Sequence, residues 1–391
     1  MLGMEARLRN RQAELRQFLN RFCPGVDRVR RRFFYHSVTG ILLSRSMVVS
    51  GWLRFIHDRC RDRFWRHKRL LNQIRLGKWD AGSVLGGYQR EWGLRVQIDT
   101  PLIIDLSDLP RPRARKLKYL SLVRDGSEGK LVSGYWCLEI YGRLSKHCVA
   151  PLLLRPYSCE DPSVSSENAM ILRGVEQVLA ATEGRGVLVM DRGGDRSELL
   201  IPWIDAGRRF VVCQRGDRHV ILPGGVHVRV SLLIDRLLQQ SGGQVVYQQV
   251  RLPDRPGVPL WLAAKVIEGK DRPLIVLSSL RCENLQQAQG VLEYYRLRWG
   301  CEQGVQFLKS GLNLERIGLR RYESFERLLF LATLAMGFMS WLTLARPTLI
   351  QWLCRAQPGL HAIKFGYYRL LQWVQEQFTP PKTARFPPRA Y

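Results

Sequence analysis

The chain has 391 residues, enough for two or three domains, and its 46% hydrophobic content argues against a disordered protein. Its 61 Lys and Arg against 34 Asp and Glu give a net charge of +27, which predicts a polyanionic partner. Nucleic acid is the first candidate and an anionic membrane surface the second. Nine scattered cysteines without a C-x-x-C pair argue against a zinc ribbon or a secreted disulfide scaffold and indicate reduced, cytosolic thiols.

The first 80 residues concentrate the positive charge, with 19 Lys and Arg against 6 Asp and Glu, a net charge of +13. Their pattern predicts helices over Met4–Phe22, Val38–Ile56 and Arg61–Ile74. Basic helices contact DNA phosphates and can enter a groove, so residues 1–95 are predicted to form an all-α DNA-binding domain. The alternative is a solvated basic surface over an ordinary aromatic core. The cations assigned to the DNA contact are Arg63, Arg66, Lys68 and Arg69.

Residues 96–216 have a different sequence pattern, in which short apolar runs bounded by turns precede an alternation of helices and strands. The order is typical of an α/β domain with a mixed sheet. Strands are predicted over Pro101–Asp105, Leu117–Val123, Tyr135–Ile140, Val149–Leu154, Val187–Met190 and Phe210–Val212, with a helix over Pro162–Thr182.

Residues 217–283 carry β-branched runs between Gly- and Pro-rich turns, which predicts a β-rich module. Its strands are predicted over Val226–Val230, Gln244–Arg251, Pro259–Ile267 and Leu274–Leu280. Helices return in residues 284–378 and are predicted over Leu285–Leu312, Tyr322–Leu344 and His361–Phe378, before a flexible Pro-rich tail, 379–391. The uncharged stretch Leu328–Ala345 has the minimum length of a membrane span, and a helix buried in the core is the preferred interpretation.

The predicted helix after residue 285 has one polar stripe beside its apolar face. Tyr295, Arg298, Glu302 and Lys309 lie within roughly 60° of one another at 100° per residue. A carboxylate placed there is anchored by the core and reachable from solvent. The alternative is an ordinary amphipathic helix with an Arg298–Glu302 pair at i, i+4.

Two further acids, Asp105 and Asp191, each end an apolar run that is predicted to be a buried strand. A lone acid there is commonly a turn former or a helix cap. Two such acids together with Glu302 would repel one another at a sheet edge unless cations lay between them, and hard oxygen ligands favour Mg²⁺. Two Mg²⁺ ions about 3.5–4 Å apart form the two-metal site of phosphoryl transfer.

At these residues the chain resembles the IS-four-type DDE transposases of bacterial insertion sequences. Their Y-R-E-K signature, Tyr-x2-Arg-x3-Glu-x6-Lys, is matched without a gap by Tyr295, Arg298, Glu302 and Lys309. The string DRGGD after Asp191 is similar to their D-R-x-x-D motif, and IIDLS resembles the context of their first acid, with Ser107 where Thr is frequent. Glycines replace the charged residue that the family usually has inside D-R-x-x-D. The resemblance covers about residues 35–350.

The resemblance implies a ribonuclease-H-like mixed sheet flanked by helices (96–216 and 284–378) with a β-rich insertion (217–283). It implies that Asp105, Asp191 and Glu302 are catalytic and hold Mg²⁺, with Mn²⁺ as a substitute. In some relatives a Trp of the insertion stacks on a flipped base, and Trp261 is the candidate here, a packed strand aromatic being the preferred alternative. The residues expected to contact DNA near the site are Tyr295, Arg298, Lys309, Arg192, Trp261, Arg320 and Arg321.

The function predicted from the sequence is therefore that of a DNA transposase acting in the cytoplasm on the bacterial nucleoid. It would bind the terminal inverted repeats of an insertion sequence, cleave by two-metal chemistry and transfer a 3′-OH into target DNA. Its partners would be double-stranded DNA and a second copy when assembled on DNA, with no membrane. The alternatives are a ribonuclease-H-like nuclease without strand transfer, a catalytically decayed DNA-binding descendant, and a basic membrane-surface protein with one span at 328–345.

Overall fold

The structure, a computed structural model, describes residues 12–22, 26–56, 62–77, 79–112, 114, 117–124, 129–299, 304, 306–314, 317, 321–355 and 362–378. Two predicted site residues, Glu302 and Arg320, lie outside the described residues, as does the predicted tail.

Strands fall into an early group and a late group along the chain. The early strands are β1 (Pro101–Pro110), β2 (Ser121–Arg124), β3 (Leu131–Ser145), β4 (Cys148–Tyr157), β5 (Val187–Met190) and β6 (Phe210–Cys213). The late strands are β7 (His219–Ile221), β8 (His227–Arg229), β9 (Val246–Leu252), β10 (Arg255–Lys265) and β11 (Leu274–Ser278).

Helices occupy both ends of the described chain and the connections between strands. The N-terminal helices are α1 (12–20), α2 (Arg28–Ser44), α3 (Val49–Trp52), α4 (Arg63–Leu76) and α5 (Ala81–Gly93). The central helices are α6 (Glu167–Ala181), α7 (Ser197–Asp205), α8 (Val230–Gln240) and α9 (Leu285–Leu297). The C-terminal helices are α10 (Tyr322–Ala345), α11 (Pro347–Arg355) and α12 (Ala362–Phe378).

The early strands build a mixed sheet in the order β4-β3-β1-β5-β6, and the short β2 pairs with the first residues of β3. β1, β3 and β4 pair antiparallel, whereas β5 and β6 run parallel to β1. β5 and β6 are buried along their whole length, as strands covered on both faces must be. The predicted fold class is confirmed: a mixed sheet flanked by helices, with the strand order of a ribonuclease-H-like core.

The late strands extend this sheet. β11 pairs antiparallel with β6, and β10, β9, β7 and β8 follow outward, so that the described chain contains one eleven-stranded sheet. The segment predicted to be β-rich also holds α8, which alternates apolar and polar residues at helical spacing. The predicted domain boundaries stay predictions.

α10 is the central core helix. It is the helix in the described chain that is long and apolar enough to cross a membrane, and 78% of its most apolar window is buried inside the protein. The Ser340 hydroxyl donates to the Val149 carbonyl of β4 at 2.8 Å, and the Phe330 ring lies 5.7 Å from Trp79 and 6.3 Å from Phe34. This is the core position predicted for Leu328–Ala345.

Several predicted boundaries are wrong for identifiable local reasons. The second helix begins at Arg28 because the Asp27 carboxylate caps it, and it ends where Arg45 adopts a left-handed backbone, so the predicted Val38–Ile56 helix is broken. Helices α5 and α11 were not predicted from the sequence. The predicted single helix Leu285–Leu312 is also wrong, since α9 ends at Leu297 and a π-helical turn occupies Phe307–Gly311.

The close packing of α10 on the N-terminal helices gives a stability prediction. A Cβ on Gly337 would lie 2.4 Å from the Tyr88 hydroxyl, which donates to the Pro151 carbonyl. Gly337→Ala should therefore lower the free energy of unfolding by about 1–3 kcal/mol in urea titrations. In the matched control, Gly290→Ala in α9, nothing lies within 4 Å of the new methyl group, and a gain of roughly 0.5–1 kcal/mol is expected. Equal effects of the two changes would contradict the packing argument.

Candidate active site

Asp105 and Asp191 lie side by side at one edge of the sheet. The parallel pairing of β1 with β5 ends with Ile104 opposite Met190, and each of these residues is followed in the chain by one of the aspartates. The prediction that Asp105 ends its strand is wrong, because β1 continues to Pro110 in its pairing with β3. It stands instead where β5 ends, so the two carboxylates share the edge formed by the carboxyl ends of the parallel strands.

The turn after β5 fixes the Asp191 carboxylate. Its Oδ1 accepts a hydrogen bond from the Gly193 N–H at 2.8 Å and caps a 3-10 turn, Arg192–Gly194. A Cβ on Gly193 would stand 2.9 Å from Asp191 Oδ1, and one on Gly194 would stand 2.9 Å from the Met190 side chain. Close packing therefore explains the two glycines of DRGGD, where the resembling family usually has a charged residue.

Asp195, the second acid of DRGGD, ties the turn to the residues after β6. The Asp195 side chain is 1% exposed and accepts from Arg218 Nε at 2.7 Å and from the Arg215 N–H at 2.9 Å. Arg215 Nε in turn donates to the Arg192 carbonyl at 3.1 Å. These bonds hold the turn that carries Asp191 against the loop after β6. The sequence assigned no role to Asp195.

Two of the four signature residues contact β1, and a third lies beside one of them. Arg298 is buried, and its Nη1 lies 3.6 Å from Asp105 Oδ2. Lys309 Nζ donates to Asp108 Oδ1 at 2.9 Å. The Arg298 guanidinium also lies 5.6 Å from the centre of the Tyr295 ring, and burial raises the pKa of Tyr295. The fourth residue, Glu302, falls between Arg298 and Lys309 in the chain.

A fourth carboxylate, Glu139, faces the site from β3, and the sequence analysis missed it. It pairs across the ladder with Asp105, is 1% exposed, and accepts hydrogen bonds from the Ser107 and Tyr141 hydroxyls. Burial raises the pKa of Glu139 to about 7, although both hydroxyls and Lys309 oppose the shift. The sequence signal for Glu139 was its position as the one acid in the apolar run Tyr135–Ile140.

A cavity of about 540 Å³ opens beside the Asp191 turn. Trp299, which is 57% exposed, lines it together with Tyr295. Trp261 is not among its lining residues; it is half-buried and packs on the smaller hydrophobic cluster of the sheet. The cations that line the cavity are Arg192, Lys265, Lys270, Arg272 and Arg296.

The predicted cations of α4 divide into two kinds. Arg63, Lys68 and Arg69 are exposed, whereas Arg66 is half-buried and donates to the Ile56 carbonyl at 2.7 Å, which gives it a structural contact. Lys68 Nζ lies 4.7 Å from the centre of the Trp65 ring, which is itself 54% exposed. The face therefore combines positive charge with exposed aromatic surface. Arg321, at the start of α10, is also exposed.

The acids at the sheet edge suit a hard divalent cation. Asp105 and Asp191 supply carboxylate oxygens from adjacent strand ends, the ligand type that Mg²⁺ and Mn²⁺ prefer. No group of three His, Cys, Asp or Glu side chains that could hold a metal occurs among the described residues, to which Glu302 does not belong. Two of the three predicted metal ligands, Asp105 and Asp191, therefore lie where they could bind a divalent cation.

The burial of Glu139 predicts a pH-dependent stability in protein kept free of metal by a chelator. Because the folded-state pKa is raised from 4.5 to about 7, the stabilisation from the protonated acid is complete below pH 4.5 and lost as the pH rises through 7. Wild type should lose on the order of 2–3 kcal/mol relative to Glu139→Gln between pH 4.5 and 8, measured by urea unfolding. Glu176→Gln, at an exposed acid, serves as the control, and parallel pH profiles for wild type and Glu139→Gln would contradict the prediction.

Known proteins resemble part of this chain. Residues 154–338, slightly less than half of the chain, match the family model of the transposase DDE domain. Among solved structures, the piggyBac transposase synaptic complex with hairpin DNA is similar with a TM-score of 0.49 and 12% identity, covering 88% of this chain and 71% of that one. No curated protein matches the sequence. The chain thus contains a segment that matches the transposase DDE domain, and this segment includes Asp191 but begins after Asp105.

Proposed function

We propose that the protein is a DNA transposase that cleaves the ends of its element and joins a 3′-OH to target DNA. One observation carries the proposal: the parallel register of β1 and β5 brings Asp105 and Asp191 to one edge, where Arg298 and Lys309 face the same strand. The match of residues 154–338 to the transposase DDE domain and the net charge of +27 support it.

In this proposal Asp105, Asp191 and Glu302 hold two divalent cations. When bound, these cations would activate the attacking oxygen and stabilise the leaving oxygen of an in-line displacement. Arg298 lies against the Asp105 carboxylate, and its charge would become available to a DNA phosphate when a cation engages Asp105. Lys309 lies against Asp108, which is not a proposed ligand, and adds positive charge beside the site. Positive side chains beside the acids hold the phosphodiester in place, and the Asp195 contacts keep the Asp191 turn rigid.

The finer features of the proposal rest on the signature residues. Tyr295, Arg298 and Lys309 at their spacing favour an IS-four-type enzyme of a bacterial insertion sequence, which binds terminal inverted repeats and works as a homodimer assembled on DNA in the nucleoid. Mg²⁺ is the proposed cofactor and Mn²⁺ its substitute. Arg192, Arg320 and Arg321 are proposed as further phosphate contacts, and Trp261 stays a predicted base-stacking residue whose half-burial favours a packing role.

The nuclease alternative keeps the same carboxylates and lacks strand transfer. A joining assay with pre-cleaved ends distinguishes the two, because a transposase joins a supplied 3′-OH to target DNA without cleaving first. The exposed basic face of α4 favours the transposase, since an enzyme that holds specific ends needs a binding surface besides its active site.

The acids give the first functional prediction. Asp105→Asn, Asp191→Asn and Glu302→Gln should each lower cleavage of DNA carrying the terminal repeats by roughly 10³-fold or more in Mg²⁺, because bound cations supply several kcal/mol of transition-state stabilisation. DNA affinity should be kept. The measurement is the appearance of 3′-OH products and joined target with purified protein.

The matched control is Glu293→Gln, which removes a half-buried acid of α9 that pairs with Arg296 and is not a proposed metal ligand. It should cleave like wild type. Retained cleavage in any of the three acid variants would remove that residue from the proposed ligand set. Binding by wild type without any metal-dependent product would favour a decayed DNA-binding protein.

The exposed cations of α4 give a second prediction. Arg63→Ala and Lys68→Ala should each weaken binding to repeat and random DNA alike and reduce the slope of log K against log salt by about one, because each removes one phosphate contact. Lys146→Ala, in the exposed turn between β3 and β4, is the control and should leave the slope unchanged. Unchanged slopes in the α4 variants would exclude this face from the DNA contact.

A further inference from the structure

The Glu139 carboxylate is joined to the strand that carries Asp105. Asp105 and Glu139 are opposite each other in the β1–β3 ladder, and Ser107 lies two residues beyond Asp105 on the same side of the pleat. The Ser107 hydroxyl donates to Glu139 Oε1 across the two strands. This bond fixes the relative position of β1 and β3 within two residues of a proposed metal ligand.

The second bond to Glu139 reaches toward the segment that follows α9. The Tyr141 hydroxyl donates to Glu139 Oε2, so both carboxylate oxygens are engaged by buried hydroxyls. A Cβ on Gly304 would lie 3.1 Å from the hydroxyl oxygen and from two ring carbons of Tyr141, so the ring lies directly against the Gly304 backbone. Gly304 follows Glu302 by two positions. The contacts therefore run from the Asp105 strand, through Glu139 and Tyr141, to Gly304.

The burial of this set favours a role other than ordinary strand packing. Glu139 and Tyr141 are at most 1% exposed and Ser107 is 7% exposed, and burying a carboxyl group costs free energy that an apolar residue would not. A hydrogen-bonded buried network holds its members in one arrangement when every member is satisfied. In metal sites, hydrogen-bonded groups behind the ligands orient them and tune the affinity.

We propose that Glu139, held by the Ser107 and Tyr141 hydroxyls, is a positioning residue of the divalent-metal site. It fixes β1 relative to β3 and Gly304, so that the Asp105 carboxylate is held in the orientation that presents its oxygens to the cation. Glu139 need not touch the cation itself. The proposal rests on the proposed function, because it concerns the same metal site, and it adds three residues that neither the signature nor the family match assigns.

The test is Mn²⁺ binding, followed by the loss of the free-ion signal in electron paramagnetic resonance. Ser107→Ala and Tyr141→Phe each remove one hydroxyl from Glu139 and should weaken Mn²⁺ binding by about 10-fold or more, the size typical of groups behind metal ligands. Ser107→Thr keeps the hydroxyl and should bind within about twofold of wild type. The Mn²⁺ concentration for half-maximal DNA cleavage should rise in the same two variants.

Matched controls separate positioning from general stability. Ser340→Ala and Tyr322→Phe remove buried hydroxyls that bond backbone carbonyls of β4, at Val149 and Pro156, and should leave Mn²⁺ affinity unchanged. Thermal unfolding of the metal-free proteins shows whether each variant is folded. If Ser107→Ala fails to fold, Tyr141→Phe decides, because it keeps the ring against Gly304.

The outcomes separate this inference from the proposed function. Wild-type Mn²⁺ affinity in folded Ser107→Ala and Tyr141→Phe would overturn the positioning role while leaving a cleaving wild-type enzyme intact. Equal loss of affinity in the two control variants would also overturn it, because the effect would then be general. A wild-type protein that neither binds Mn²⁺ nor cleaves would overturn both proposals.

Discussion

The parallel pairing of β1 with β5 is the constraint on which the site depends. Since paired parallel strands advance together, the register that sets Ile104 opposite Met190 also brings the following residues, Asp105 and Asp191, side by side. Asp191 follows Asp105 by 86 positions, and helix α6 is part of the chain that connects them. A one-residue slip would turn one carboxylate to the opposite face of the sheet, so the arrangement of the two acids depends on this register.

Charge balance at this edge follows from the same register. Two carboxylates of β1, on Asp105 and Asp108, face the two cations Arg298 and Lys309. Asp191 is satisfied by a backbone N–H and Asp195 by Arg218. In the DNA-free protein these partners offset the repulsion among clustered acids. In the proposed function, a cation bound at Asp105 would replace its pairing with Arg298.

Sequence patterns revealed the site better than the elements that carry it. The run Val187–Met190 was predicted to the residue, because four apolar residues ending in an acid have few alternatives as a buried strand. The regular helix through Tyr295 and Lys309 was wrong, since a π-helical turn changes the periodicity on which a helical wheel relies. The role of Glu139 could not be predicted, although its place in an apolar run was visible, because Ser107 meets it only through the pairing of β1 with β3. Residue type marks chemistry locally, but pairing across strands is a tertiary property.

The N-terminal helices are bound to the mixed sheet through α10. Arg327 of α10 donates to the Ile74 carbonyl at 3.0 Å, at the carboxyl end of α4, and the rings of Trp79 and Phe330 pack together. α10 in turn packs on β4, next to β3 in the sheet. A basic helix held in this way keeps a fixed distance and angle from the acids, unlike a domain on a flexible linker. The apolar character that made α10 resemble a membrane span is therefore explained by its position, since it contacts protein on both the sheet side and the α4 side.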